Sequence, residues 1–132
     1  MDFGTIDLVA AADRGADCHL DHPVTGEPLY VDGKPVTIRV LGQDSREFRA
    51  ALSALSEKAG KGKASIEKAE SNAVELLTRL VTKWDGIVWD GKPLDFTAEN
   101  VRMFLSKFPP VRRQLDEFVA ERANFFKFAA KK

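Results

Sequence analysis

The chain has 132 residues, enough for one compact domain or one domain with an appendage. It is 44% hydrophobic and 30% charged, with 20 basic and 20 acidic residues and no formal net charge. That balance supports a globular core and argues against a general nucleic-acid binder, which carries a basic excess.

The charge is nonetheless polarised: residues 1–32 carry seven carboxylates against the single Arg14, whereas residues 101–132 carry eight basic side chains against three acids. Such a chain pairs its ends within one fold or between copies, or simply solvates them. Cys18 is the sole cysteine, so no intrachain disulfide forms. The start, Met1 to Thr5, lacks the basic and apolar runs of a signal peptide, and no apolar stretch approaches a membrane span of about 20 residues.

In chain order, Thr5 is placed to cap a short helix over Ile6–Ala12 that Gly15 closes. From Asp17 to Leu41 the grammar is that of strands and turns. Asp32-Gly33 predicts a hairpin that pairs Leu29–Val31 with Val36–Val40, and Cys18–Leu20 supplies a third strand. Asp44 or Ser45 caps a helix reaching about Lys58, with Phe48, Ala51, Leu52 and Leu55 as its apolar stripe. Gly60-Lys61-Gly62-Lys63 then breaks the chain.

A longer helix is expected from about Ser65 to Trp84, with Ile66, Ala69, Ala73, Leu76, Leu77, Leu80 and Trp84 on one face. A dense aromatic turn follows, holding Trp84, Trp89 and two Asp-Gly pairs. Thr97 caps a helix over Ala98–Lys107. Pro109-Pro110 starts the last helix, which carries Val111, Leu115, Phe118, Val119 and Phe125 or Phe126 inward. The expected fold class is α+β: a small N-terminal antiparallel β-hairpin or meander, then a mainly α-helical C-terminal unit. The expected parts are residues 1–59, a hinge at 60–64, and a helical unit at 65–132. Val31-Asp32-Gly33-Lys34-Pro35 recurs as Trp89-Asp90-Gly91-Lys92-Pro93, which reads as two similar turns and not as a duplicated domain.

Chemistry is weakly signalled. His19 and His22 lie near Cys18, Asp17 and Asp21, a metal-like composition without metal-like spacing, because strand alternation sends the two histidines to opposite faces. A Cys18–His19 catalytic pair is disfavoured by adjacency. Gly60–Ser65 lacks the spacing of a phosphate loop. Arg112, Arg113, Lys127, Lys131 and Lys132 share their region with Asp116, Glu117 and Glu121, which reads as a mixed-charge solvent face. The expectation is no catalytic residue, no metal and no cofactor.

Phe125, Phe126 and Phe128 stand out. Neighbours on a helix lie about 100° apart, so three phenylalanines in four positions cannot all face one core. With Trp84 and Trp89 they are the candidate partner-binding residues, against the alternative that the tail folds back over its own core.

The C-terminal half resembles the small tail assembly chaperones of long-tailed phages and prophages. The likeness rests on Leu76-Leu77, Val81, Trp84-Asp85-Gly86-Ile87, Asp90-Gly91-Lys92-Pro93, Phe96-Thr97-Ala98-Glu99-Asn100, Leu105, Pro109, and Gln114-Leu115-Asp116-Glu117-Phe118 ending in Asn124-Phe125. His22–Leu29 and Leu41–Ser45 add to it in the N-terminal half. The resemblance implies a non-enzymatic protein of the host cytoplasm. It implies binding to the tape measure protein, which is kept soluble while tube subunits polymerise around it, and so contact with the tail tube protein and possible self-association. It also implies absence from the finished virion and, as in many members, a frameshifted C-terminal extension. The rival expectation is a minor structural tail or connector protein retained in the virion. Neither nucleic acid nor membrane is an expected partner.

Overall fold

The computed structural model describes residues 2–59 and 66–126. The hinge expected at 60–64, together with Phe128, Lys127, Lys131 and Lys132, lies outside the described residues. The fold is α+β, with five α-helices and small antiparallel sheets among the described residues.

After a 3₁₀ turn at Phe3–Thr5, α1 spans Leu8–Arg14. Its cap is Asp7, whose carboxylate accepts from the Ala10 N–H; Thr5 instead donates its hydroxyl to the Asp2 carbonyl. Asp outcompetes Thr here because its ionised oxygen is the stronger acceptor at a helix N-terminus. Gly15 ends the helix at φ 79, a conformation that favours glycine.

β1 (Ala16–His19) pairs with β4 (Thr37–Val40), and β4 pairs in turn with β5 (Val81–Asp85), giving a three-stranded sheet in the order β1-β4-β5. Two expectations are corrected by this sheet. Residues 36–40 do not pair chiefly with 29–31: the Asp32-Gly33 hairpin is only β2 (Tyr30–Val31) against β3 (Lys34–Pro35), and β4 goes on to β1 with Cys18 opposite Ile38. The helix expected to reach Trp84 is α3, Ile66–Leu80, and it converts without a glycine into β5 at Val81. A β-branched pair, Val81-Thr82, meets an unpaired edge of β4, and the Leu41 N–H donates to the Leu80 carbonyl at the changeover. Segments from both sides of residues 60–64 thus share one sheet and one apolar core.

Three backbone bonds knit the first hairpin to the sheet: Leu20 N–H donates to the Val36 carbonyl, Val36 to Leu29, and Leu29 back to Leu20. The second hairpin repeats the first. β6 (Val88–Trp89) pairs with β7 (Lys92–Pro93) in the same register, Trp89 opposite Lys92 as Val31 is opposite Lys34. In both, the Asp and Gly of the turn have positive φ, 53 and 78 in the first and 51 and 82 in the second, the signature of a tight two-residue hairpin turn.

Ser45, not Asp44, caps α2 (Arg46–Ala59) by accepting from Phe48 N–H. Ala51 is buried as expected of the stripe, whereas Leu52 is exposed. On α3 the buried positions are Val74, Leu77 and Leu80, and Ile66 is 82% exposed. α4 (Ala98–Lys107) is capped by Thr97, and α5 (Pro109–Ala120) opens on its two prolines. α5 stops at Ala120, short of the phenylalanines; Arg122–Phe125 form a separate 3₁₀ turn that folds back beside α1.

A candidate polypeptide-binding cleft

The sequence-predicted aromatics fall into different environments. Trp84, on β5, and Trp89, on β6, are both half-buried. The Trp84 Nε1 donates to the Leu94 carbonyl at 3.0 Å, and its ring meets Phe96 and Phe104 edge-on. Trp89 meets Phe108 edge-on at 6.0 Å, with the Lys107 Nζ 6.0 Å from its centroid.

Of the two alternatives for Phe125, contact surface or core, the structure has the core. It is 6% exposed, packs against Phe118, and lies against Gly42, where only the missing Cβ leaves room for its ring. The tail folds back because Arg122 holds Asp44 through two bonds, at 2.6 and 3.0 Å, and Gln43 donates to the Ala120 carbonyl. Phe126 is partly buried against the same core.

The polar candidates are committed to the backbone. His19 Nε2 donates to the Leu29 carbonyl at 2.7 Å, and its ring sits edge-on to Tyr30. His22 Nδ1 accepts from the Val24 and Thr25 N–H groups and so holds the loop that follows it. Cys18 is 1% exposed, and burial, helped by the charge of Asp21, pushes its thiol up to about 12. Among the described residues, no group of three or more His, Cys, Asp or Glu is placed to hold a metal, and no helix is long and apolar enough to cross a membrane.

One concave apolar feature stands between the two hairpins. Leu29, Val31 and Val36 form one wall and Gly86, Ile87 and Val88 the other; Phe104 of α4, Phe108 at the corner between the helices and Val111 of α5 form the floor. The cleft encloses about 220 Å³. It is smaller than the roughly 300–1,000 Å³ of a small-molecule site, and suits a side chain delivered by another polypeptide better than a cofactor. Val88, on its rim, is 48% exposed.

Sequence reasoning passed over this cleft, apart from assigning several of its residues to apolar faces. Its walls come from segments about 58 positions apart, Leu29 to Ile87, and no local spacing announces their meeting. The one available signal was the Asp-Gly-Lys-Pro echo, since these two repeats form the flanking hairpins. No family model, curated protein or solved structure matches the chain.

Proposed function

We propose that this protein acts by binding another polypeptide, as a tail assembly chaperone that keeps a phage tape measure protein soluble in the host cytoplasm while the tail tube protein polymerises around it. The observation that carries the reading is the apolar cleft between the two hairpins. A long helix-rich chain aggregates through its apolar side chains, and a small protein with an open apolar slot covers them one site at a time. The resemblance described above supplies the identity of the partner. In this reading the protein is not an enzyme and leaves the assembled tail.

The test is co-expression with a cognate tape measure protein. Soluble tape measure should rise with the wild-type chain and fall back with Val88→Asp, which puts a charge on the cleft rim at an exposed position. Equal tape measure solubility with and without the protein would sink the reading. Recovery of the protein at stoichiometric copy number in purified particles would replace it with a minor structural tail or connector role.

A further inference from the structure

The two walls of the cleft are held by different means, and we infer that the second hairpin, residues 87–94, is its movable jaw, latched by Trp84 and Trp89, while the first hairpin is the fixed one. The inference rests on the polypeptide-binding reading above and says how that site admits its occupant.

The two repeats share one bond at the base. Val36 N–H donates to the Leu29 carbonyl in the first hairpin, and Leu94 N–H donates to the Ile87 carbonyl at the same place in the second. Their ties to the rest of the protein then differ. Beside the first hairpin, Leu20 donates its N–H to the Val36 carbonyl at 2.9 Å and accepts from the Leu29 N–H at 2.9 Å. His19 Nε2 adds a third tie, to the Leu29 carbonyl at 2.7 Å. Residues 87–94 have no counterpart of Leu20. Among the described residues, the only hydrogen bond that reaches them from outside the hairpin comes from the Trp84 indole, to the Leu94 carbonyl at 3.0 Å. Trp84 thus does with a side chain what Leu20 does with its backbone. Further out, the Trp89 ring rests edge-on against Phe108 with its centroid 6.0 Å away. Segments with few backbone ties are the ones that open locally while the rest of a fold stays closed.

The jaw has a pivot at each end. Gly86 enters it at φ 85, beside Val36, and the Asn100 side chain donates to the Asp95 carbonyl just past its exit. The moving part carries Ile87 and Val88 of the cleft wall. With the jaw closed, Ile87 is 6% exposed and belongs to the apolar core. An apolar side chain entering the cleft replaces the contacts that Ile87 gives up, so occupancy favours the open jaw. A wall that yields also lets one cleft take apolar side chains of different size, which suits a protein that covers a long chain site by site.

Native-state hydrogen exchange on the full-length protein, read by NMR, tests this without any ligand, because the Val36 and Leu94 amides make the same bond in the two repeats. Measured as protection factors, Leu94 should exchange at least about tenfold faster than Val36. Trp84→Phe keeps an aromatic ring and loses the indole bond; it should speed Leu94 about fivefold further and leave Val36 unchanged. Trp89→Leu, which removes the ring resting on Phe108, should act in the same direction through the second latch. Equal protection of the two amides, variants that leave Leu94 unchanged, or variants that speed Val36 as much as Leu94 would overturn the inference, since global unfolding exposes both amides alike. If the amides are equally protected while the wild-type chain still solubilises the tape measure, only the movable jaw falls. If Leu94 opens as expected and the tape measure gains no solubility, the chaperone reading falls and the jaw stands.

Discussion

The indole N–H of Trp84 donates to the carbonyl of Leu94 at 3.0 Å, which ties the end of β5 to the exit of the second hairpin. Leu94 also donates its own N–H to the Ile87 carbonyl, so one residue closes the hairpin base from two directions. Trp84 therefore holds a cleft wall in place, and backs the Phe104 floor, without itself lining the cleft. Trp84→Ala should cost about 3 kcal/mol, the low end for a large aromatic, because the ring is only half-buried. Trp84→Phe keeps the ring contacts with Phe96 and Phe104 but loses the bond, and should cost about 1 kcal/mol. Urea midpoints decide this; equal midpoints for all three proteins would show that the bond and the ring stabilise nothing.

Gly42 is a second fixed point. A Cβ there would lie 3.0 Å from the Ala12 Cβ and 3.2 Å from the Phe125 ring. Gly42→Ala should therefore cost about 1–3 kcal/mol through overpacking, and it should loosen the turn at Arg122–Phe125. Faster chymotryptic cleavage at Phe125, measured beside the thermal midpoint, would register both effects.

Cys18 should be inert in the folded protein. Its thiol is pushed up to about 12 from 9.0, so Ellman's reagent should label it only on unfolding. The folded pKa lies above the unfolded one. The stabilisation is full below about pH 9 and is lost as the pH rises toward about 12, at about 1.4 kcal/mol per pH unit. Cys18→Ala should remove that alkaline slope; rapid native labelling at neutral pH would contradict the burial.

The Asp44–Arg122 pair sets the acid side. The hydrogen bond from Arg122 holds the Asp44 carboxyl below its ordinary value, with burial opposing. A depressed carboxylate contributes stability above the unfolded pKa and loses it as pH falls through the folded value. Thermal midpoints of wild type and Asp44→Asn should therefore converge as the pH is lowered below the ordinary carboxylate range. The effect is small because the Arg122 end of the pair is more than half exposed and screened by solvent; a constant gap at all pH values would show that the ionised pair contributes nothing.

The two hairpins give a graded test of backbone strain. Gly33 and Gly91 sit at φ 78 and 82 with open space around them, so alanine at either should cost about 1–2 kcal/mol from the left-handed conformation alone. Gly86, at φ 85, would in addition bring its Cβ within 3.1 Å of Val36 across the cleft base. Gly86→Ala should be the most destabilising of the three in chemical denaturation, and equal losses would mean the hairpins do not approach as described.

Local chemistry by itself determined much of this fold. Asp-Gly determined both hairpin turns, because glycine tolerates positive φ and aspartate tolerates it better than most residues. Thr97 determined the start of α4, and Pro109-Pro110 the corner before α5, through the donors that a helix N-terminus leaves open. Tertiary structure decided the rest. Val81–Asp85 follows the apolar spacing of α3, and only the open edge of β4 turned it into a strand. Phe125 stood among crowded aromatics, and only the hollow at Gly42 and the grip of Arg122 on Asp44 placed it in the core. The cleft needed both repeats, the β1-β4-β5 sheet and the floor of α4 and α5 at once. Its walls are joined by long-range backbone pairing, and a sequence encodes such pairing only through the shape of the whole chain.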